Sequence, residues 1–541
     1  MFSLRRRRRL VLMGVPLLGA LLLWLYTHPQ TGLQTQTLAK EALRHSAERS
    51  GTLVMRPSEE WVPLLEATRQ EEVWHEELTG GALEGELNRR RAHIASATSH
   101  SWKAYVKFAW GHDELLPLSS SSADAFGGLG ATMIESLDIL WLLGMKREFG
   151  QVVKWVADFD FNRDVNVSVV ETSTRIMGGL LSAYQLSEQK ALLIKAEELA
   201  HRLIRAWDTP SGIPCGMVNL ARSACANVEE PVTLAQAGGE QLEFAVLASL
   251  TGNATFLQKV RKAIQHLETV DPDMGLKPAA ISLTTGQATM QSYGLGRVSG
   301  DFYQYLLKAW LVTGKADGRS RAMWRQAMDN MLAALMFASS PSRLKYIADF
   351  DRGAVQHQSD VSACSIPPML SLGIRTKAVA GQKALQYAML TRDLAYACWR
   401  LYANHETGLA AQSVKFSPGA DFKATARSHH LDPQGMENMF VLWRATRDSR
   451  YQHWGWSIFN ALVTHCKVDR GFAGLVDVQA GGAKVDVMPS HWLGATLKYA
   501  LLLYSPQEML PLDQWVFSSQ APCILTSVMN SQSEMDGQSA F

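Results

Sequence analysis

The sequence predicts an all-α fold built from helical hairpins. Three observations carry this. From about residue 92 to residue 516 apolar side chains recur at helical spacing, short breaks rich in Gly, Pro, Asp and Ser divide them, and no long block of alternating strand pattern occurs. Of the 541 residues, 47% are apolar, so a sizeable core can be buried. The 53 Lys and Arg nearly balance the 51 Asp and Glu, and no basic excess exists beyond the first ten positions, which gives no footing for a nucleic-acid partner.

The chain opens on a basic cytoplasmic tail, residues 1–9, in which Arg5 to Arg9 are unbroken. Residues 10–26, LVLMGVPLLGALLLWLY, carry no charge. Their length lies near the lower limit of a membrane-spanning helix, about 17–25 residues. A cleaved signal peptide has a shorter apolar core and ends on small residues. Bulky Trp24, Leu25 and Tyr26 close this one, so it reads as an uncleaved N-terminal signal-anchor helix. The basic flank stays cytoplasmic and the remainder is lumenal, a single-pass type II topology. Residues 27–90 read as a polar lumenal stem, interrupted by Gly80, Gly81 and Gly85, with some helix around Glu59 to Glu77.

The helical pattern follows over residues 91–523. Helices are expected at Ala131 to Met145, Glu171 to Leu186, Lys190 to Trp207, Gln241 to Leu250 and Asp301 to Val312. Further ones are expected at Gln382 to Tyr402, Met436 to Ala445, Trp454 to Val463 and Trp492 to Tyr504. Such hairpins stack into a toroid or a solenoid, and the lack of a strict repeat argues against a simple solenoid. Residues 524–541, rich in Ser and Gln, read as a disordered tail. Asn166-Val167-Ser168 and Asn253-Ala254-Thr255 are glycan acceptor triplets. Cys215, Cys225, Cys364, Cys398, Cys466 and Cys523 contain no C-x-x-C pair, so structural disulfides suit them in an oxidising lumen. Cys215 and Cys225 are near enough in sequence to bridge; the residues alone leave the pairing open.

The segments SWKAYVKFAWGHDELLPLS (from Ser101), ATMIESLD (Ala131 to Asp138), VETSTRIMGGLLSAYQLS (Val170 to Ser187) and DTPSGIP (Asp208 to Pro214) resemble the class I α-1,2-mannosidases of glycoside hydrolase family 47. That family includes the endoplasmic reticulum degradation-enhancing mannosidase-like proteins. The resemblance continues in order through QLEFAVLASLTGN, YQYLLKAWLVTG, YQHWGWSIFNAL, ATLKYALLLYS and LDQWVF, ending at Phe517. It implies an (αα)7 barrel in the endoplasmic reticulum or Golgi membrane, its domain in the lumen. It also implies an inverting hydrolase that removes α-1,2-linked mannose from high-mannose N-glycans of glycoproteins. Such a reaction needs an acid for the leaving oxygen and a base for the attacking water, about 6.5–9.5 Å apart.

The resemblance assigns roles residue by residue. Glu171 stands at the family's acid-type carboxylate, and Arg175 at its arginine. Without the family match this i, i+4 pair would be an ordinary surface ion pair worth roughly a few tenths of a kcal/mol. Glu243 and Glu437 match cavity glutamates whose plainer reading is a solvated helix face. Asp113 and Glu114 match GHDEL, where a helix cap is the plainer role. Cys364 and Cys398 match the bridging pair.

Several positions depart from the family. Its catalytic aspartate aligns with Gly300, and Asp301 is displaced by one residue. A shift of one residue turns a helical side chain by about 100°, which points Asp301 elsewhere unless the helix start brings it into the cavity. The glutamate that follows is Gln304. The family's base, in Leu-Arg-Pro-Glu, falls on Gln434 of Leu431-Asp432-Pro433-Gln434. A glutamine can orient a water but cannot take its proton, a loss of about 10²–10⁴ in rate. Glu437 lies three residues on, where it already has a family counterpart. The family's calcium ion would sit at the floor, where Ser519 keeps a hydroxyl and a carbonyl. Gln520, Pro489, Ala495 and Val361 replace acidic or imidazole side chains there, and Ala411-Gln412 stands where the family has Pro-Glu. Fewer charges weaken a site for a dication, so calcium is expected to bind weakly or not at all. Three readings follow: recognition of high-mannose glycans with impaired hydrolysis, active hydrolysis by a rearranged site, or a structural protein that binds no sugar.

Overall fold

A computed structural model describes residues 80–226, 231–272, 274–296 and 299–526. The expected basic tail, signal anchor and most of the stem lie outside the described residues. Among those described, no helix is long and apolar enough to cross a membrane. The described chain is mostly helical, as its periodicity requires.

Two kinds of helix alternate. α1 (Gly80–Phe108) precedes α2 (Ala131–Leu142) and α3 (Lys146–Asp158). α4 (Gly178–Ser187) and α5 (Lys190–Leu203) follow, then α6 (Gln241–Thr251) with α7 (Ala254–Thr269), and α8 (Gly300–Val312) with α9 (Gly318–Ala334). α10 (Ile366–Arg375) pairs with α11 (Gly381–Ala403), α12 (Gln434–Thr446) with α13 (Ser449–Cys466), and α14 (Lys498–Tyr504) ends the series. α2, α6 and α8 are buried on nearly every side, and their sequences are apolar all round. α7 buries only Phe256, Val260, Ala263, Ile264 and Leu267, the stripe of an outer helix.

The buried helices touch in chain order: α2 with α4, α4 with α6, α6 with α8, α8 with α10, α10 with α12, and α12 with α14. The segment Trp492–Leu497 that leads into α14 packs back on α2. Each buried helix also carries an outer partner, the last being α1 against α14. Glycines set the closest approaches. A Cβ on Gly179 would lie 2.9 Å from Ile134 Cγ2, and one on Gly494 would lie 2.6 Å from Glu135 Cβ. α2 is therefore gripped from both sides at distances only glycine allows.

Two boundaries differ from the sequence reading. Gly80, Gly81 and Gly85 sit inside α1, not in an interrupted stem. A Cβ at any of them would meet nothing within 4 Å. Glu86 pairs with Arg89 and Arg90, and strong helix formers surround the glycines, which offsets about 1 kcal/mol per glycine. At the other end the folded chain runs past 523, because Cys523–Leu525 forms a strand on Trp515–Phe517. The remainder of the tail lies outside the described residues.

Cys364–Cys398 is bridged as the resemblance implies, and Cys215–Cys225 is bridged too. Cys466 and Cys523 are free and buried. Asn166 is exposed on the strand Asn166–Ser168. Asn253 caps α7, its side-chain oxygen accepting from Thr255 N.

Candidate active site

One cavity of about 940 Å³ opens at the N-terminal ends of the buried helices and is lined by Glu171, Arg175, Asp301, Asp432, Gln434 and His491, among others. Both π-helical segments of the described chain feed it. Glu171 precedes Thr172–Met177, and His491 precedes Trp492–Leu497. A π turn inserts one residue into a helix and re-aims the side chains beside it.

Arg175 organises the first wall. Its Nε donates to Glu171 at 2.5 Å, and its Nη1 reaches Glu135 at 3.3 Å. Glu135, wholly buried, also accepts from Ser490 Oγ at 2.6 Å. The guanidinium stacks over Phe126 at 5.0 Å. Phe126 is placed by Asp113, whose buried carboxylate accepts from the backbone N–H groups of Phe126, Gly128, Leu129 and Ala131. The capping role of GHDEL is thus what Asp113 performs.

Asp301 lines the cavity, contrary to the rotation expected of a one-residue shift. The reason lies at the helix start. A Cβ on Gly300 would lie 2.7 Å from Leu295 O, so no side chain fits there, and Asp301 in the first turn takes the opening. Burial, then the negative charge of Glu171, push the Asp301 carboxyl up to about 6.

Glu243 and Glu437, expected at the cavity surface, lie behind it. Glu243 is fully buried and accepts from Tyr305 OH at 2.7 Å. Burial pushes its carboxyl up to about 8. Glu437 accepts from Ser365 Oγ at 2.6 Å, and burial raises it as well. Both sit in the first turn of a buried helix whose whole circumference is covered, so they point into the layer beneath. Between them lies Lys308, which donates to Gln304 at 2.8 Å. Burial lowers its affinity for a proton, against the pull of Glu437, Asp301 and Glu243.

The second wall was not visible in sequence reasoning. Asp432 accepts from His430 N at 3.0 Å and from the Gln412 side-chain amide. His429 Nδ1 lies 3.7 Å from Asp432, and His491 Nε2 lies 3.1 Å from His430 O. Burial, and then Arg175, depress His491 to about 4, so it is neutral at pH 7. Against burial, the imidazoles of His429 and His491 and the His430 N–H hold the Asp432 carboxyl below its ordinary range. The one available signal was Asp432 itself, an acid where the family pattern has arginine. Gln434 lines the cavity, while its Oε1 is sealed from solvent and has no hydrogen-bond partner among the described residues.

Calcium fits this floor poorly. Ser519 and Gln520 line it, but neither carries a charge, and the Ser519 side chain is engaged with Tyr305. No three His, Cys, Asp or Glu side chains among the described residues are grouped to hold an ion. A hard dication needs about six to eight oxygen ligands.

The family model for glycosyl hydrolase family 47 matches residues 97–525. A mannosyl-oligosaccharide 1,2-alpha-mannosidase of Arabidopsis thaliana is 38% identical over 440 residues, 80% of this chain and 78% of that one. The endoplasmic reticulum mannosyl-oligosaccharide 1,2-alpha-mannosidase of Mus musculus is 35% identical over 450 residues, 80% of this chain and 68% of that one. The solved alpha-1,2-mannosidase from Trichoderma reesei superposes with a TM-score of 0.76 at 26% identity, covering 81% of this chain and 99% of that one. The chain belongs to glycosyl hydrolase family 47.

Proposed function

We propose that this protein takes the terminal α-1,2-linked mannose of high-mannose N-glycans on glycoproteins into the cavity and hydrolyses it slowly. The observation that carries this is the shared wall of Glu171, Arg175 and Asp301 around an open polar cavity of about 940 Å³. That volume is within the range of ligand sites, about 300–1,000 Å³. Asp301 holds its proton in a mildly acidic lumen and is suited to protonate the leaving oxygen. Glu171, ion-paired to Arg175, is suited to holding sugar hydroxyls. Gln434 lines the cavity but cannot take a water's proton, which makes cleavage slow. No step runs through calcium.

The closed succession of buried helices supports the (αα)7 barrel, each helix with an outer partner. The type II anchor at residues 10–26 and a place in the endoplasmic reticulum or Golgi membrane belong to the same proposal, resting on the sequence and on the mouse relative's name. Full activity from a rearranged site is a second reading, favoured by Asp301 facing the cavity.

The test is to incubate the purified full-length chain with a high-mannose oligosaccharide, measuring affinity by calorimetry and glycan mass over time. Binding with slow stepwise hexose loss, both abolished by Glu171→Gln, is expected. Absence of binding by folded protein refutes the proposal and leaves the structural reading.

A further inference from the structure

We propose that His491, steered by Asp432, accepts the proton of the attacking water in place of the carboxylate that Gln434 lacks. The inference rests on the function proposed above.

The hydrogen bonds determine the form of the ring. His491 Nε2 lies 3.1 Å from the carbonyl of His430, which can only accept, so Nε2 carries the hydrogen and Nδ1 carries the lone pair. Among the described residues Nδ1 has no hydrogen-bond partner, and it is not among the sealed, partnerless polar atoms, so it is open to the cavity that His491 lines. Gln434 lines the same cavity, but its amide oxygen is sealed from solvent, so the water meets no competing base there.

The electrostatics match the task. The groups acting on His491 are Arg175 and Glu171 from the first wall, and Asp432 with His430 from the loop ahead of α12. Glu114, hydrogen-bonded through Ser490, stands behind, and burial pushes it up to about 7. Burial and Arg175 give the imidazole a proton affinity near 4, close to that of an ordinary carboxylate at about 4.3. It is thus unprotonated at lumenal pH and about as basic as the glutamate it would replace. Asp432 stabilises the imidazolium as it forms.

The step balances. The water oxygen bonds to the anomeric carbon as the glycosidic bond breaks. Asp301 gives its proton to the leaving oxygen, and one water proton passes to His491 Nδ1. The released mannose carries the new hydroxyl on the opposite face. The imidazolium then loses its proton to solvent, and Asp301 regains one, which restores both groups.

His491→Gln keeps a donor for the His430 carbonyl and removes the base. In the full-length chain, with a high-mannose oligosaccharide, kcat is expected to fall by about 100-fold with Kd changed by less than roughly threefold. Adding Gln434→Glu to that variant should restore turnover. Asp432→Asn should lower kcat and move the acidic limb of the pH profile to lower pH, because the imidazolium loses its counter-charge. Wild-type turnover in His491→Gln overturns the proposal. So does an unmoved acidic limb in Asp432→Asn, which decides the matter if His491→Gln does not fold. Glycan binding by the wild type with no hydrolysis at all also overturns it while leaving recognition intact. No binding refutes the function itself.

Discussion

Replacing Asp301 with asparagine should stabilise the protein at neutral pH while abolishing hydrolysis. Burial and the charge of Glu171 raise the Asp301 carboxyl from 3.8 to about 6. The folded state therefore binds this proton more tightly than the unfolded chain does. Between pH 4 and pH 6 the folded protein holds more protons, so its stability falls as pH rises through that window. A rise of that size corresponds to about 3 kcal/mol. Asp301 lies on a cavity wall reached by solvent, and screening reduces the figure to about 1–2 kcal/mol. Asparagine has no charge to bury. Its advantage over the wild type should be near zero below pH 4 and reach about 1–2 kcal/mol at pH 7.5. Urea unfolding of both proteins at pH 4.5, 6 and 7.5 reads the difference directly, with glycan mass followed in parallel. A variant no more stable than the wild type at pH 7.5 would refute the electrostatic reasoning. So would an advantage that does not shrink on acidification, and retained hydrolysis would remove Asp301 from the chemistry.

Three further outcomes are expected. Gly300→Asp, which restores the family's residue in sequence, should destabilise by about 1–3 kcal/mol and not raise activity, since its Cβ would press on Leu295 O; a denaturant midpoint and a glycan assay check both. Opening the Cys364–Cys398 bridge by double substitution to alanine frees a 34-residue loop and should cost about 3–4 kcal/mol, read as a lower urea midpoint. Exhaustive chelation should leave the thermal midpoint unchanged, because Ser519 and Gln520 bring no negative charge to the cavity lining to hold a dication.

How much of this was legible in the sequence depends on the distance over which each feature is decided. Helices such as Gln241 to Leu250 and Asp301 to Val312 were readable within a residue, because their periodicity is local. The bridge between Cys364 and Cys398 and the site role of Glu171 and Arg175 were readable only through the family resemblance. The direction of Asp301 was not readable, since it depends on the room left at Gly300 by Leu295. The inward turn of Glu243 and Glu437 was hidden for a similar reason: a helix covered on all sides carries no polar face to show which way is out. The second wall joins His491 to Asp432, which lie far apart in the chain. It escapes any local pattern, although Asp432 stood in plain view as a replaced arginine.

The packing of Trp492–Leu497 on α2 has a consequence for biosynthesis. Ser490 and Glu135, bonded across that contact, are separated by 355 positions along the chain. Gly494 and Gly179 clasp α2 only once the last buried segment has arrived. A chain emerging from the ribosome therefore holds the early helices with one flank of α2 uncovered until synthesis is nearly complete. Such long-range closure folds slowly. The nascent domain is then itself a substrate for chaperones, and a truncation before Trp492 should be degraded rather than persist in a partly working form.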